Sequence, residues 1–368
     1  AFDVEIFGNV RLSERQSAAL DSTLDSAVPR SEARSASAGA SKRLSTGASV
    51  TVDSGINRNA SNNNAARNPD YASDVGLSLR QPLLKDAWRT VNLAPIARAK
   101  AQAEQSLFVL RSNILDVILN TEIAYWNLSF AQAQRSLVAS SIELAENLLE
   151  ENQERARLGY VTPLEVLQAQ TELLNQEEDR IQADRAIEDA TDQLRQLMGD
   201  VSFLDTLDAS VLVSKLPIEL TDVPPLASVV RAAVSTDADA AAQEQLIEVQ
   251  RINRMLAKDE TKPDLDVTAG VNYLGRDTDG QLAYRAAYNA DGYAWNVGLE
   301  LRLPLGVRDA KARLRQAERN LQREELRWYS IKQEKALAAR SAWRSVQAGI
   351  KRIEVTGQAL ELNEQSFE

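Results

Sequence analysis

IARAKAQAEQSLFVLRSNILDVILNTEIAYWNLSFAQAQRSLVASSIELAENLLEENQERARL, residues 96–158, contains neither glycine nor proline. As one α-helix these 63 residues would span about 95 Å, at about 1.5 Å of rise per residue. A mean globular helix has roughly 11–12 residues, so a rod of this length has to bundle with similar rods or cross open space. Apolar side chains recur at alternating steps of three and four from Leu107 to Leu149. This pattern predicts a coiled-coil seam of about six heptads.

The composition excludes several classes of chemistry. There is no cysteine and no histidine among the 368 residues, which excludes disulfides, Ser-His-Asp triads, histidine proton shuttles and most zinc sites. The motifs of nucleophile elbows and phosphate-binding loops are also missing from the sequence. We therefore expect no catalytic site, no metal site and no cofactor, and do not expect an enzyme.

Charge and hydropathy narrow the range of partners. The net charge is −11 and the basic residues are spread along the chain, so nucleic-acid binding is disfavoured. No segment approaches 18 consecutive apolar residues, so we expect no transmembrane helix.

The flanking regions alternate with the period of two that is typical of β-strands. Four strands are predicted in residues 1–84, and two more at about 265–273 and 295–303. Polar loops are expected at about 17–33 and 59–71, and a third around Asp277, Asp279 and Gly280. Strands of about ten residues with long polar loops at one end suit an outer-membrane β-barrel. A soluble antiparallel sheet with one wet face would show the same alternation.

A second long helix is predicted directly after the first. Gly159 suits the position that follows a helix C-terminus, and Thr162, Pro163 and Glu165 suit the N-cap, N1 and N3 positions of a capping box. The helix should run from Pro163 to about residue 198, which makes a long antiparallel hairpin closed by a short turn. Beyond it we expect irregular chain over 200–225, helices at about 226–234 and 237–259, and a third long helix after Gly306.

The chain also repeats itself. VGLSLRQPL at 75–83 matches VGLELRLPL at 297–305, and Ala124-Tyr125 corresponds to Ala342-Trp343 further along. Each copy reads as β material, a Pro-Leu junction and a long helix. The second copy stops before its equivalent of Gly159, so we expect the sequence to be part of a longer, internally duplicated protein.

Three segments resemble the TolC-like outer-membrane efflux proteins. They are the junction LRQPLL at 79–84, the helix segment AYW at 124–126 and the hairpin turn RLGYVTPLEVLQAQ at 157–170. The resemblance implies an α+β membrane protein in which β-barrel strands join very long antiparallel helices of an α-helical barrel. It also implies internal duplication and a homotrimer.

On this resemblance we expect five regions along the chain. They are a first β-barrel segment (1–84), a first long helical hairpin (85–199), an equatorial region with short helices (200–262), a second β-barrel segment (263–305) and a second long helix (306–368). The family pattern has two strands per half, whereas residues 1–84 hold β-like sequence for four. An additional hairpin is therefore expected at about 33–58, either enlarging the barrel or lying outside it.

The implied function is an exit duct for efflux or type I secretion in the outer membrane of a Gram-negative bacterium, extending into the periplasm. Its implied partners are a periplasmic adaptor, an inner-membrane pump and the lipid bilayer. The alternative is a soluble periplasmic adaptor or coiled-coil scaffold. The second β segment followed by a second long helix favours the duct, because an adaptor carries a single helical hairpin inserted in β domains.

The resemblance also implies a set of candidate site residues. The adaptor-docking tip comprises Leu158, Gly159, Tyr160, Val161 and Thr162, although a turn that packs on itself would look similar. Glu165 matches an acidic position that helps close the pore entrance in the family, in competition with its capping role. Glu150, Glu151 and Glu154 would form lumen rings or an ordinary solvated face. The lipid-facing residues would be Val75, Leu77, Leu79, Val297, Leu299 and Leu301.

Overall fold

A computed structural model describes residues 2–16, 30–62, 68–199, 211, 213 and 223–367. Much of the predicted loops at 17–33 and 59–71, and most of the irregular segment 200–225, lies outside the described residues. The chain forms two compact units. One is Ala1–Gln105 with Ala242–Ser330, and the other is Ser106–Ala241 with Ile331–Glu368.

The first unit contains a six-stranded antiparallel sheet whose strands lie in chain order. The strands are β1 (Val4–Gln16), β2 (Arg30–Arg43), β3 (Ser49–Ser61), β4 (Asp70–Pro82), β5 (Asp264–Asp277) and β6 (Gly292–Arg302). All six predicted strands are present. The additional hairpin, β2 and β3, lies within this sheet between β1 and β4.

The two faces of the sheet differ in polarity. One row across it, following the strand register, reads Ile6, Ala40, Val52, Leu77, Val271, Trp295. The neighbouring row on the opposite face reads Glu5, Ser41, Thr51, Ser78, Gly270, Asn296. Because side chains alternate between faces along a strand, the period-two pattern of the sequence gives one apolar face and one polar face.

The predicted polar loop around Gly280 is wrong in one respect, because it contains a helix, α6 (Gly280–Tyr288). Asp279 caps this helix and accepts hydrogen bonds from the backbone N–H groups of Gln281 and Leu282. The helix lies on the apolar face, where the Ser73 hydroxyl donates to the Ala283 carbonyl at 2.6 Å. Gly275 allows this approach, since a Cβ there would collide with the same carbonyl oxygen. Nine residues with three alanines give too short a periodic signal to distinguish from a loop.

The turn between β2 and β3 is attached to the segment that leads into the long helices. Gly47 has a φ of +92°, and a Cβ there would collide with the Asp86 carbonyl oxygen. The Trp88 N–H, at the start of α1 (Trp88–Asn92), donates to the Thr46 carbonyl at 3.0 Å. The buried Asn92 donates to the Asp86 carbonyl at 2.8 Å and accepts from Arg43 Nη2 at 2.9 Å. The additional hairpin is thus a built-in part of this unit.

The helical prediction is confirmed with small shifts. The elements are α2 (Ala94–Arg157), α3 (Pro163–Leu197), α4 (Leu226–Ser235), α5 (Ala238–Asp259) and α7 (Arg308–Phe367). Helix α2 begins two residues earlier than expected, because Pro95 sits in its first turn, where proline costs no hydrogen bond. Leu128 of α2 is completely buried and packs with Ala124 and with Leu194 of α3.

The predicted seam of α2 is only partly covered. From residue 121 to residue 149 its positions are buried or half-buried, with the exception of Arg135, whose Nε donates to Asp184 of α3 at 3.0 Å. From residue 107 to residue 117 its positions are exposed. Within this chain α3 covers only the second part of the predicted seam, and its first part is open.

Candidate functional sites: the hairpin tip, the bare helix segment and the two-faced sheet

The hairpin tip has a well-defined backbone. Gly159 has a φ of +80°, the left-handed conformation that glycine adopts without strain. The Tyr160 N–H donates to the Arg155 carbonyl at 2.8 Å, and the Gly159 N–H donates to the Ala156 carbonyl at 3.0 Å. These two bonds form a Schellman motif. The predicted role of Gly159 at the end of α2 is confirmed.

The side chains of the tip point away from the hairpin core. Tyr160 is 79% exposed and Leu158 is 64% exposed, whereas Val161 is half-buried. Gly159 and Thr162 are exposed as well. Two large apolar side chains in solvent, on a turn whose backbone hydrogen bonds are already satisfied, make a surface available for docking.

Glu165 acts in the capping box at the start of α3. Its Oε2 accepts the Thr162 N–H at 2.6 Å and the Thr162 hydroxyl at 3.0 Å. The backbone hydrogen bond, followed by the hydroxyl bond, holds the pKa of Glu165 below its ordinary value. The carboxylate is fully exposed, so capping leaves it accessible for a second role.

The three acidic residues that approach the tip are not equivalent. Glu151 pairs with Arg155 at 2.6 Å, and Glu154 pairs with Arg157 at 3.0 Å, each one turn further along α2. Glu150 is exposed and has no salt bridge to another described residue. The local arginines thus offset two of the three charges.

The predicted lipid-facing residues share the apolar face of the sheet. Val75, Leu77 and Leu79 lie on β4, and Val297, Leu299 and Leu301 lie on β6 in the same alternation. The β6 set is more than half exposed. The apolar face continues on β1 through Val4, Ile6, Val10 and Leu12.

An aromatic cluster on this face was not predicted as such. It consists of Tyr71, Tyr273, Tyr284, Tyr288, Tyr293 and Trp295, and it lies near the loop end of β4–β6 and on α6. Five of the eight tyrosines of the chain belong to it, a concentration that the sequence already carries.

A run of exposed apolar side chains occupies the first part of α2 in the second unit. We call residues 107–123 the bare segment. Its members that are more than 40% exposed are Leu107, Val109, Leu110, Ile114, Leu115, Val117, Ile118, Leu119 and Ile123. Soluble monomeric proteins rarely leave so large a contiguous apolar surface in water. The bare segment is therefore a candidate interaction surface.

A polar cluster anchors the bare segment within the chain. The Ser112 hydroxyl and the Lys335 ammonium group donate to opposite oxygens of Asp239, each at 2.6 Å. Lys335 also pairs with Asp237 at 3.2 Å. Lys335, and after it Ser112, lowers the pKa of Asp239, while Asp239 raises the pKa of Lys335.

Among the described residues, no group of three or more carboxylates is placed to hold a metal ion. No helix in the part of the chain that the structure describes is apolar over a long enough stretch to cross a bilayer.

The fold of long helices joined to an antiparallel sheet matches solved channel structures. The outer membrane protein VceC of Vibrio cholerae is similar over 98% of this chain and 74% of its own, with 16% identity and a TM-score of 0.64. The outer-membrane channel OprN is similar over 98% and 68%, with 16% identity and a TM-score of 0.64. For the CmeC channel of Campylobacter jejuni the shares are 98% and 69%, with 17% identity and a TM-score of 0.58. At such identities these likenesses show the fold.

The family itself is shown by the sequence. A family model described as outer membrane efflux protein matches residues 14–200, about half of the chain. A comparison with curated protein sequences gave no match. The protein belongs to the outer membrane efflux protein family, which confirms the TolC-like resemblance. It is accordingly an outer-membrane channel protein of Gram-negative bacteria that extends into the periplasm, and not an enzyme.

Proposed function

We propose that three copies of this chain form one continuous exit duct, with a β-barrel in the outer membrane and an α-helical barrel in the periplasm. The observation that carries the proposal is the bare segment. Nine large apolar side chains, each more than 40% exposed, need a cover that neighbouring copies would supply. A helical barrel provides it, because every helix in such a wall contacts helices on both sides.

The five regions expected from the sequence become roles in this duct. Residues 1–84 and 263–305 supply the strands, and residues 85–199 and 306–368 supply the helical wall. Residues 200–262 form the equatorial region. In both halves a strand with its apolar residues on the same face precedes a long helix, which supports the proposed duplication.

The sheet sits in the membrane with its apolar face toward lipid. Val75, Leu77, Leu79, Val297, Leu299 and Leu301 contact acyl chains, and the aromatic cluster lies at the lipid–water interface, where tyrosine and tryptophan are enriched. The polar face lines the lumen. Its glycines support this assignment, since Cβ atoms at Gly39 and Gly76 would press against neighbouring atoms, as expected on an inner face where side chains crowd together.

The hairpin tip docks a periplasmic adaptor that leads to an inner-membrane pump. Leu158 and Tyr160 supply the apolar contact, and Gly159, Val161 and Thr162 hold the turn in shape. Glu165, free of burial, contributes negative charge near the pore entrance in addition to capping α3. Glu150 is the strongest candidate for a lumen charge ring, and Glu151 and Glu154 contribute less because arginines pair with them.

The alternative of a soluble adaptor or scaffold does not fit the family to which the chain belongs. Export of small molecules and type I secretion of polypeptides both remain within the proposed function, because both need the same passive duct. Whether the duct exports small molecules or polypeptides depends on the adaptor that docks at the tip and on the pump to which that adaptor leads.

The proposal is tested on the full-length protein in two steps. Sizing in detergent should give a trimer, and insertion into a planar bilayer should give stable conductance. A monomer without conductance would contradict the duct.

Docking is tested separately with Tyr160→Asp, which should weaken adaptor binding while leaving the trimer intact. Asn175→Asp adds the same charge to an exposed position of α3 away from the tip and should bind as the unmodified protein does. Equal binding by both variants would remove the docking assignment.

A further inference from the structure

We propose that the exposed edge of β1 in one copy pairs with the exposed edge of β6 in the next, so that the trimer closes an 18-stranded barrel. The inference rests on the proposed trimer and adds the identity of the contact and the width of the pore. Each copy contributes all six strands of its sheet, including the additional hairpin.

The first step of the argument is that β1–β3 belong to the barrel wall. The register of β1 on β2 and of β2 on β3 is regular over the full length of the strands. The turn at Gly47 is held against Asp86, Trp88 and Asn92. The regular register and the packed turn make β1–β3 part of the same continuous sheet as β4–β6.

The second step is that the apolar face reaches both edges and crosses β2 through Ala36, Ala38 and Ala40, which lie between Arg34 and Lys42. On β1 the apolar set runs from Val4 to Leu12, and on β6 it runs from Tyr293 to Leu301. Each set covers nine residues, close to the roughly 9–11 residues with which a tilted strand crosses a membrane. On β1 the band ends at Glu14, which pairs with Arg30 at 2.6 Å. The two edges therefore carry equivalent membrane bands.

The third step concerns direction. Every neighbouring pair in the sheet is antiparallel, and the number of strands is even. Strands β1 and β6 therefore run in opposite directions, and β1 of one copy would meet β6 of another as an antiparallel pair. This matches the all-antiparallel construction of outer-membrane barrels.

The fourth step is that these edges are not protected against pairing. Soluble proteins shorten their edge strands or interrupt them with proline. Here β1 has 13 residues and β6 has 11, and neither contains proline. Each edge exposes a row of backbone N–H and C=O groups that has to be satisfied within a bilayer.

The occupant of each edge is a second copy of this chain. A single six-stranded sheet is below the eight strands of the smallest outer-membrane barrels, so closure within one copy is excluded. Three copies give 18 strands, in the range where barrels enclose an aqueous channel. The carboxylates of Asp53 and Asp74, on the polar face of β3 and β4, would then form rings inside a wide pore.

The 368 residues contain no cysteine, so the inference can be tested by cross-linking in the full-length protein, with any cysteine elsewhere in it first replaced by serine. Asn9→Cys on β1 combined with Asn296→Cys on β6 places two thiols on the polar face at opposite edges. With a flexible bismaleimide we expect covalent dimers and trimers on a denaturing gel. The matched control combines Asn57→Cys on β3 with Asn296→Cys and should give monomers.

The outcomes separate the possible failures. If the control pair cross-links and the edge pair does not, the barrel has 12 strands and leaves β1 and β2 outside. That result would overturn the inference, and the proposed trimer would still stand. Counting strands in averaged electron micrographs of the unmodified trimer decides the case in which neither pair reacts, since 18 strands support the inference and 12 overturn it. A monomer on sizing would overturn the proposed function together with the inference.

Discussion

The two parts of α2 have similar sequences and opposite surroundings. Both keep a seam at steps of three and four. Its positions 107, 110, 114 and 117, in the bare segment, are exposed, whereas its positions from 121 to 149, the covered part, are buried or half-buried except Arg135. In the covered part many seam positions hold small residues, such as Ala124, Ala131 and Ala145. Each of these three side chains is at most 9% exposed. In the bare segment they are Leu, Ile and Val. Small residues let a neighbouring helix approach closely, whereas large apolar residues without a partner indicate a surface that another chain covers.

The largest effect is expected from a charge placed in the bare segment. Ile114→Asp should abolish the trimer, because each of three copies would bury an unpaired carboxylate at several kcal/mol. Helix content of the separated chain should persist, since position 114 is exposed within one copy. Sizing in detergent and circular dichroism measure the two properties. Ile114→Val serves as the control, and a fully trimeric Ile114→Asp variant would contradict the assignment of this surface.

In the covered part, the largest expected effect is on the stability of the single chain and not on assembly of the trimer. Leu128→Ala removes a completely buried side chain and should lower the free energy of unfolding by about 2–5 kcal/mol. Leu110→Ala, in the bare segment, should change the stability of the separated chain by about 0.5 kcal/mol or less and weaken the trimer instead. Denaturant titration of dissociated chains separates the two effects. Equal losses of unfolding free energy for Leu128→Ala and Leu110→Ala would contradict the difference proposed between the two parts of α2.

A smaller effect on stability is expected at the polar cluster of Ser112, Asp239 and Lys335, which anchors the bare segment. Lys335→Met breaks the pairs with Asp239 and Asp237, and for such partly exposed pairs we expect a loss of about 0.2–1 kcal/mol. Because the pKa of Asp239 is held below its ordinary 3.8, the pair stabilises the fold above that pH, and this contribution is lost as the pH falls through the lowered pKa. Because the pKa of Lys335 is raised above 10.5, the contribution is also lost as the pH rises through the raised pKa. The unfolding temperatures of the Lys335→Met variant and the unmodified protein should converge as the pH falls from neutral to acidic. A constant difference between the two temperatures would argue against a stabilising role for the pair.

The smallest effect is expected at the hairpin tip, beyond the covered part of α2. Glu165→Gln keeps an acceptor for the Thr162 N–H, whereas Glu165→Ala removes it. The alanine variant should loosen the first turn of α3, visible as faster amide exchange at residues 163–166, and the glutamine variant should not. Since the pKa of Glu165 lies below its ordinary 4.5, the capping contribution is present above that pH and fades as the pH falls through the lowered pKa. A glutamine variant that alters conductance at neutral pH with unchanged exchange would assign the charge a role at the pore entrance.

Much of the fold was predictable from local patterns. Alternation located all six strands, and the Gly159 turn with Thr162, Pro163 and Glu165 located the hairpin tip, because turns and caps depend on a few neighbouring residues. The coverage of α2 was not predictable, since a seam looks the same whether its partner belongs to the same chain or to another. Helix α6 was missed because Ala283 and Ala287 pack on Gly275 through contacts between elements, which short-range periodicity does not report.

The site residues divide in the same way. The capping role of Glu165 and the shared face of the residues proposed to face lipid follow from spacing alone. The pairing of Glu151 and Glu154 with arginines required side-chain geometry, and the aromatic cluster required the register of β4–β6. Its tyrosines are scattered in sequence and come together only across strands.

The central claim is that neighbouring copies cover the bare segment, and thiol labelling in intact outer membranes tests it most directly. A single cysteine at Ile114 should react slowly with a bulky maleimide, and one at Leu158 should react rapidly when the adaptor is absent. Slow labelling at position 114 that becomes rapid after dissociation of the trimer is the predicted result. Rapid labelling at both positions in the intact membrane would contradict the account, since it would leave the apolar surface of α2 open to water.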